Sequence, residues 1–289
     1  AASVMAARRA GLPLVLTLTD YFLGCLRVNL IDLDGQVCDG PGEGRTCARR
    51  CPTPVWGEDA TMARYRQARS LLDAAAVCVA PSADVARRFT AMFPGLRCRV
   101  IGHGVDLLML GQAAAEAAAQ GRSTPAAAGD KPPLILGFFG TIVPAKGLDV
   151  LLQALAAAPE LAVELWVVGA HHGDSAYRQR VDRLAAADPR VRMVGPLSPA
   201  DAARRMAGIE LLCLPSVVPE TYSLVLHEAA ALGVPALVSS LEAPAEAVQS
   251  GGGGEVVPAG DVARWTAAIR RAAADADLRA RWRAATRLP

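Results

Sequence analysis

At 289 residues the chain has room for two domains of ordinary size. Apolar residues make up 52% of it, yet no apolar run reaches 18 residues, so a soluble chain without a membrane-spanning helix is predicted. A formal net charge of +2 gives no reason to expect a nucleic-acid partner, and seven cysteines in a chain this long do not suggest a secreted disulfide scaffold.

The chain opens on an apparent helix end, SVMAARRAG, followed by LPLVLTL, which reads as a buried strand. Next comes a Gly/Pro/Asp-rich stretch holding Cys25, Cys38, Cys47 and Cys51, spaced C-x12-C-x8-C-x3-C. Four thiol positions so grouped fit a structural Zn²⁺, disulfides or free thiols, and the spacing leaves all three open. Cys78, Cys98 and Cys213 lie in apolar contexts and read as packed core thiols. ATMARYRQARSLLDAA reads as a helix, AVCVAPS as a strand, and ADVARRFTAMF as a helix capped by Ser82. RCRVIGHGVD reads as a strand running into a glycine turn.

Residues 111–133 are Ala-rich, then Pro/Gly-rich, which predicts a short exposed helix and a linker. The boundaries expected are residues 1–112 for a first domain, 113–133 for the linker and 134–289 for a second domain. From Pro133 onward LILGFFG, VELWVVG, VRMVG, IELLCLPS and PALVSS are short apolar runs with helical stretches between them. That alternation predicts an α/β fold, a parallel sheet with helices on both faces. In such sheets ligands bind beyond the strands' carboxyl ends, where Gly140, Gly169, Gly195, Ser216 and Ser239 fall.

The most telling stretch is PETYSLVLHEAAALGVP, residues 219–235. It sets Glu220 in a loop, a small polar turn at 221–223, and Glu228 on the helix that follows. Helix-start amides hold a diphosphate, and carboxylates accept hydrogen bonds from sugar hydroxyls. Glu-x7-Glu alone is common; LLCLPS before it and ALGVP after it make it specific. Lys146 draws attention because it and Lys131 are the only lysines, the other basic residues being Arg. No G-x4-G-K-[ST] occurs, which disfavours a P-loop NTPase.

Together these segments resemble the retaining GT-B glycosyltransferases of the glycosyl transferases group 1 family (GT4). Residues 136–152 resemble the strand, loop and helix that open that family's C-terminal domain, and 163–169 its next strand. Residues 191–197 resemble its V-x-x-x-G-x-L turn, and 231–257 its A-x-G-x-P tail. The likeness covers 134 to about 275 strongly, and 11–106 more loosely. It implies two Rossmann-like doubly wound domains. A full N-terminal domain of this type starts with a strand and a Gly-rich loop that LPLVLTL lacks before it, and the C-terminal crossover helices are short, so an incomplete chain is expected.

By the same resemblance, Lys146 contacts the donor diphosphate, as do the amides of Ser223, Leu224 and Val225. Glu220 binds the transferred sugar, Glu228 the ribose, and Gly195 and Leu197 pack on the base. Lys146 and Glu220 carry the catalytic roles. Gly140 and Thr141 open the phosphate loop, although the family carries an Arg where Thr141 stands. Asp20 and Tyr21 fall on the acceptor side, and Thr19 replaces a common His. Glu246 matches a family glutamate or caps a helix. The implied reaction is retaining transfer of a hexosyl group from a UDP or GDP sugar to a saccharide, lipid-linked or small-molecule acceptor. It takes no catalytic metal or other cofactor, and it implies a cytoplasmic enzyme, with contact at the inner membrane face left open. Two other activities remain: nucleotide-sugar binding without transfer, and sugar-nucleotide epimerisation.

Overall fold

The computed structural model describes residues 2–55, 57–120, 132–241, 243–251 and 253–287. The chain divides into two compact units. The first comprises Ala1–His103 with Val218–Tyr222; the second comprises Gly104–Val217 with Ser223–Pro289.

The first unit contains α1 (Ala2–Arg9), β1 (Val15–Thr17), α2 (Arg45–Arg50), α3 (Glu58–Ala74), β2 (Val77–Ala80), α4 (Ala83–Met92) and β3 (Cys98–Val100). Its strands form a parallel sheet in the order β1-β2-β3. Ser82 caps α4 as expected, accepting from Val85 N at 3.2 Å. The core is aromatic: Tyr21, Phe89 and Phe93 are buried, and Phe93 stacks on Tyr65 with centroids 5.1 Å apart. The expected buried strand 12–18 is largely corrected. Only three of its residues pair, β1 bonds β2 on one side, and Val15 is 61% exposed.

The second unit holds α5 (Leu107–Gln120), β4 (Leu134–Phe139), α6 (Leu148–Ala156), β5 (Val163–Val168), α7 (Ser175–Ala186), β6 (Val191–Gly195), α8 (Pro199–Ala207) and β7 (Leu211–Leu214). It continues with α9 (Leu224–Ala231), β8 (Ala236–Ser239), α10 (Ala243–Gly251), β9 (Gly254–Val257), α11 (Val262–Ala274) and α12 (Ala276–Ala285). The sheet is wholly parallel, in the order β6-β5-β4-β7-β8-β9.

The period of two along each strand divides its residues between two cores. Leu134, Leu136 and Phe138 of β4, with Leu165 and Val167 of β5, face α6, α7 and α11. Ile135 and Phe139 of β4, with Leu212 and Leu214 of β7, face the side of Met206, Leu226 and Val248. Both faces being covered, the strands read as unbroken apolar runs rather than as alternation. β9 has no such run; two of its four residues are Gly254 and Glu255, and sequence periodicity missed it.

The expected boundary at residue 112 also moves. α5 belongs to the second unit, where Leu110 and Ala113 bury against Ala203 of α8. Leu110 and Ala113 form a buried stripe that the Ala-rich composition hid. The Pro/Gly-rich remainder of the expected linker, 121–131, lies outside the described residues. Leu165 is fully buried at the centre of the larger core. Leu165→Ala should cost about 3 kcal/mol, read as a lowered urea midpoint of the second unit.

Candidate functional site

In the second sheet, chain order runs outward from β4 in one direction and from β7 in the other. The connections leave β4 and β7 on opposite sides, so a crevice opens between their carboxyl ends. Gly140 and Thr141 follow β4, with Thr141 exposed. Lys146 lies in a short 3-10 turn, Pro144–Lys146, directly before α6. Its side chain is part-buried and its amide bonds Val143 O at 3.0 Å.

That loop is held on three sides. Ile142 N bonds Ala170 O beyond β5 at 2.8 Å, and Val217 N beyond β7 bonds Ala145 O at 2.9 Å. Gly147 has φ 65°, and a Cβ there would lie 2.1 Å from Pro215 O. Only glycine lets the two loops approach so closely. Behind them Tyr177 of α7 donates to Asp149 of α6 at 2.9 Å, and Arg180 pairs with the same carboxylate. His171 pairs with Asp182 of α7 at 3.1 Å. Sequence reasoning missed these braces. Tyr177 and Asp149 are 28 residues apart, and nothing in the string marks them as partners.

α9 opens on Ser223, which has φ 71° and ψ 83° and gives no side-chain cap bond. The first amides of a helix have no acceptor within it, so those of Leu224 and Val225 are available to a ligand by geometry. Leu224 is 46% exposed. His227, without an assigned role in the sequence, is 4% exposed and its Nδ1 donates to Ser223 O at 2.9 Å. Glu228 is part-buried one residue further, and burial raises its carboxyl pKa above the ordinary value. A carboxylate so desolvated is improved by hydroxyl donors. Gly195 ends β6 with φ 84° and open space where a Cβ would stand. Leu197 follows it, part-buried against the smaller core. Glu246 stands in the first turn of α10.

The remaining predicted site residues fall in the first unit. Asp20 is exposed and caps its own turn, accepting from Phe22 N at 2.7 Å. Tyr21 is 1% exposed and donates to the buried Asp84 at 3.3 Å. The placement of Tyr21 on an acceptor surface is therefore corrected: the ring is core, stacked on Phe89 with centroids 6.1 Å apart. Glu220 is part-buried in the segment Val218–Tyr222.

Cys25, Cys38, Cys47 and Cys51 are all buried free thiols. Asp32 organises the loop between them, accepting from Asp34 N at 3.1 Å and Gln36 N at 2.8 Å. Burial, then the charges of Cys25, Cys38 and Cys51, push Cys47 up to about 11. Among the described residues no group of three or more His, Cys, Asp or Glu is arranged to hold a metal ion. The structural Zn²⁺ that the spacing left open, beside disulfides and free thiols, thus has no support in this arrangement. Nor, among the described residues, is any helix long and apolar enough to cross a membrane.

A family model described as Glycosyl transferases group 1 matches residues 133–275. A D-inositol 3-phosphate glycosyltransferase of Mycobacterium marinum is 34% identical over 140 residues, 47% of this chain and 29% of the relative. A phosphatidyl-myo-inositol mannosyltransferase of Mycobacterium leprae is 32% identical over 62% of this chain and 45% of its own. A D-inositol 3-phosphate glycosyltransferase of Nocardioides sp. is 31% identical over 72% and 48%. The chain thus spans half the length or less of these relatives. Among solved structures, Anabaena Alr3699/HepE in complex with UDP and glucose matches with a TM-score of 0.70 at 22% identity, over 98% of this chain and 68% of that one. WaaG, a glycosyltransferase involved in lipopolysaccharide biosynthesis, matches with a TM-score of 0.61 at 20% identity, over 78% and 62%. The parallel sheets and these likenesses show an α/β fold of the GT-B type, with a three-stranded sheet in the first unit.

Because burial raises the Glu228 pKa above the ordinary 4.5, the folded state keeps its proton to higher pH than the unfolded state. Stability is then lost as pH climbs from the ordinary value through the raised one. Glu228→Gln removes that loss. The variant should need more urea to unfold than the parent at about pH 8, with the gap closing below about pH 4. Cys47, with its thiol pushed up to about 11, should alkylate far more slowly with iodoacetamide at neutral pH than an unfolded control, followed by peptide mass.

Proposed function

Since residues 133–275 belong to the glycosyl transferases group 1 family, we propose that the chain carries the donor site of a glycosyltransferase. The enzyme moves a hexosyl group, with retention of configuration, from a nucleoside-diphosphate sugar to a saccharide, lipid-linked or small-molecule acceptor. The observation that carries the reading is the switch point between β4 and β7. There the Lys146 turn is bonded to the loop after β7, and that loop leads in the chain to the uncapped start of α9.

On this reading Lys146 and the amides of Ser223, Leu224 and Val225 hold the diphosphate. The Gly140–Thr141 bend leaves room beside it. Glu228 accepts from the ribose hydroxyls, which supply the donors that its desolvated carboxylate wants. Gly195 and Leu197 border the base, and Glu220 accepts from hydroxyls of the transferred sugar. In the reaction, the bond from the anomeric carbon to the diphosphate oxygen breaks and the acceptor oxygen bonds that carbon on the same face. The acceptor proton passes to the departing diphosphate. Rate enhancement then comes from charge stabilisation on the leaving group and from positioning. Thr141, exposed and uncharged where a second cation would serve the diphosphate, favours one competing reading: donor binding without transfer. The site of action on this proposal is the cytoplasm, and contact with the inner membrane face is the alternative that a relative named as a phosphatidyl-myo-inositol mannosyltransferase favours.

The test is thermal-shift binding of UDP, GDP and their common sugar conjugates, followed by turnover. A ligand at 100 times its Kd should stabilise by about 2.7 kcal/mol. One base should stabilise the parent, and Lys146→Ala should abolish most of that shift. Glu220→Gln should remove sugar release while leaving the unfolding curve unchanged. No shift with any nucleotide overturns the donor site; a shift without turnover selects the binding reading.

A further inference from the structure

Three side-chain hydrogen bonds fix the short segment Val218–Tyr222 within the first unit. Thr221 Oγ1 donates to Thr19 O at 2.9 Å, two residues beyond β1. Ser82 Oγ, two residues beyond β2, donates to Thr221 O at 2.9 Å while it caps α4 with a lone pair. Tyr222 Oη donates to His103 O at 2.9 Å, three residues beyond β3. One bond therefore goes to the carboxyl end of each strand in that sheet.

The fit around Tyr222 is close. Its ring stands edge-on to His103, with centroids 5.1 Å apart and planes at 82°. A Cβ on Gly102 would lie 2.8 Å from the Tyr222 hydroxyl. Gly102 thus leaves the space that the tyrosine occupies. On the other side of Glu220, Pro219 is buried. The backbone after Glu220 is thus held by hydrogen bonds, and a buried proline precedes it. A carboxylate that recognises sugar hydroxyls must be placed to within about 0.5 Å, which loops seldom achieve unaided.

We propose that Tyr222 and Thr221 are positioning residues, a clasp that fixes Glu220 for the sugar of the donor and so sets the sugar-dependent part of donor affinity. This rests on the reading of Glu220 as the residue that binds the transferred sugar. Neither Thr221 nor Tyr222 is among the residues assigned to the nucleotide. Loosening it weakens recognition of the sugar and leaves recognition of the nucleoside diphosphate alone.

The experiment is calorimetric titration of the 289-residue chain with UDP, UDP-glucose, GDP and GDP-mannose. The proteins compared are the parent, Tyr222→Phe, Thr221→Val, Gly102→Ala and Glu220→Gln. Tyr222→Phe keeps the ring and deletes one hydroxyl. Gly102→Ala reaches the same contact from the opposite side. Each should weaken the preferred nucleotide sugar about three- to tenfold while the matching diphosphate is unchanged. Glu220→Gln should show the same split. If Glu220→Gln splits the two ligands and the clasp variants do not, the clasp is overturned and the Glu220 reading stands. If the clasp variants weaken diphosphate and sugar donor equally, their role is general packing and the proposal fails. If Glu220→Gln leaves the sugar donor unaffected, the reading beneath the proposal is itself wrong.

Discussion

Everything proposed for the second unit depends on the close approach of two loops at the reversal of strand order. Gly147 meets Pro215 O across that gap with no room for a side chain, and the bond from Val217 N to Ala145 O lies beside it. The 3-10 turn that carries Lys146 is thereby fixed to the segment leading toward α9. The six-stranded parallel sheet beneath has both faces covered by helices, so the crevice stands on a rigid floor. The outer braces, Tyr177 to Asp149 and His171 to Asp182, carry that rigidity into α7.

A similar economy governs the start of α9. Ser223 adopts a left-handed conformation, and His227 answers its carbonyl from one turn along. The helix amides that face outward are not taken up by a side-chain cap. On the proposed reading, helix geometry rather than a dedicated loop supplies the donors for the diphosphate. Glu228 sits beyond them in surroundings that desolvate its carboxyl, a cost that a hydroxyl-rich ligand offsets.

The second sheet was legible, β9 apart, because its strands are apolar runs ended by glycine or serine, a pattern that also marks their carboxyl ends. Ser82 as the cap of α4 was legible too, because a cap is a local rule. Two losses had local causes, and the others came from partners distant in the chain. β9 is too short and glycine-rich to show a period, and α5 looked like linker because alanine hides its buried stripe. Tyr21 looked like a surface residue because its partner Asp84 lies 63 residues away. The four clustered cysteines were legible as a group but their state was not, since spacing fixes distance along the chain and leaves the directions of the thiols free. The candidate site divides the same way. Lys146 and the start of α9 could be placed from motif and topology, whereas the bonds that hold Thr221 and Tyr222 join residues 202 and 119 positions apart.

The backbone of Ser223 bears on which substitutions this chain can drift through. With φ 71° and ψ 83° the residue stands where a β-branched side chain crowds its own carbonyl and glycine does not. Its hydroxyl makes no cap bond, so a smaller residue forfeits no helix cap there. The position opens a helix, yet its backbone is that of a turn: glycine and asparagine suit it, whereas threonine, valine and isoleucine are disfavoured. Drift at the mouth of the candidate site is thus channelled by backbone sterics before any demand of a ligand is imposed.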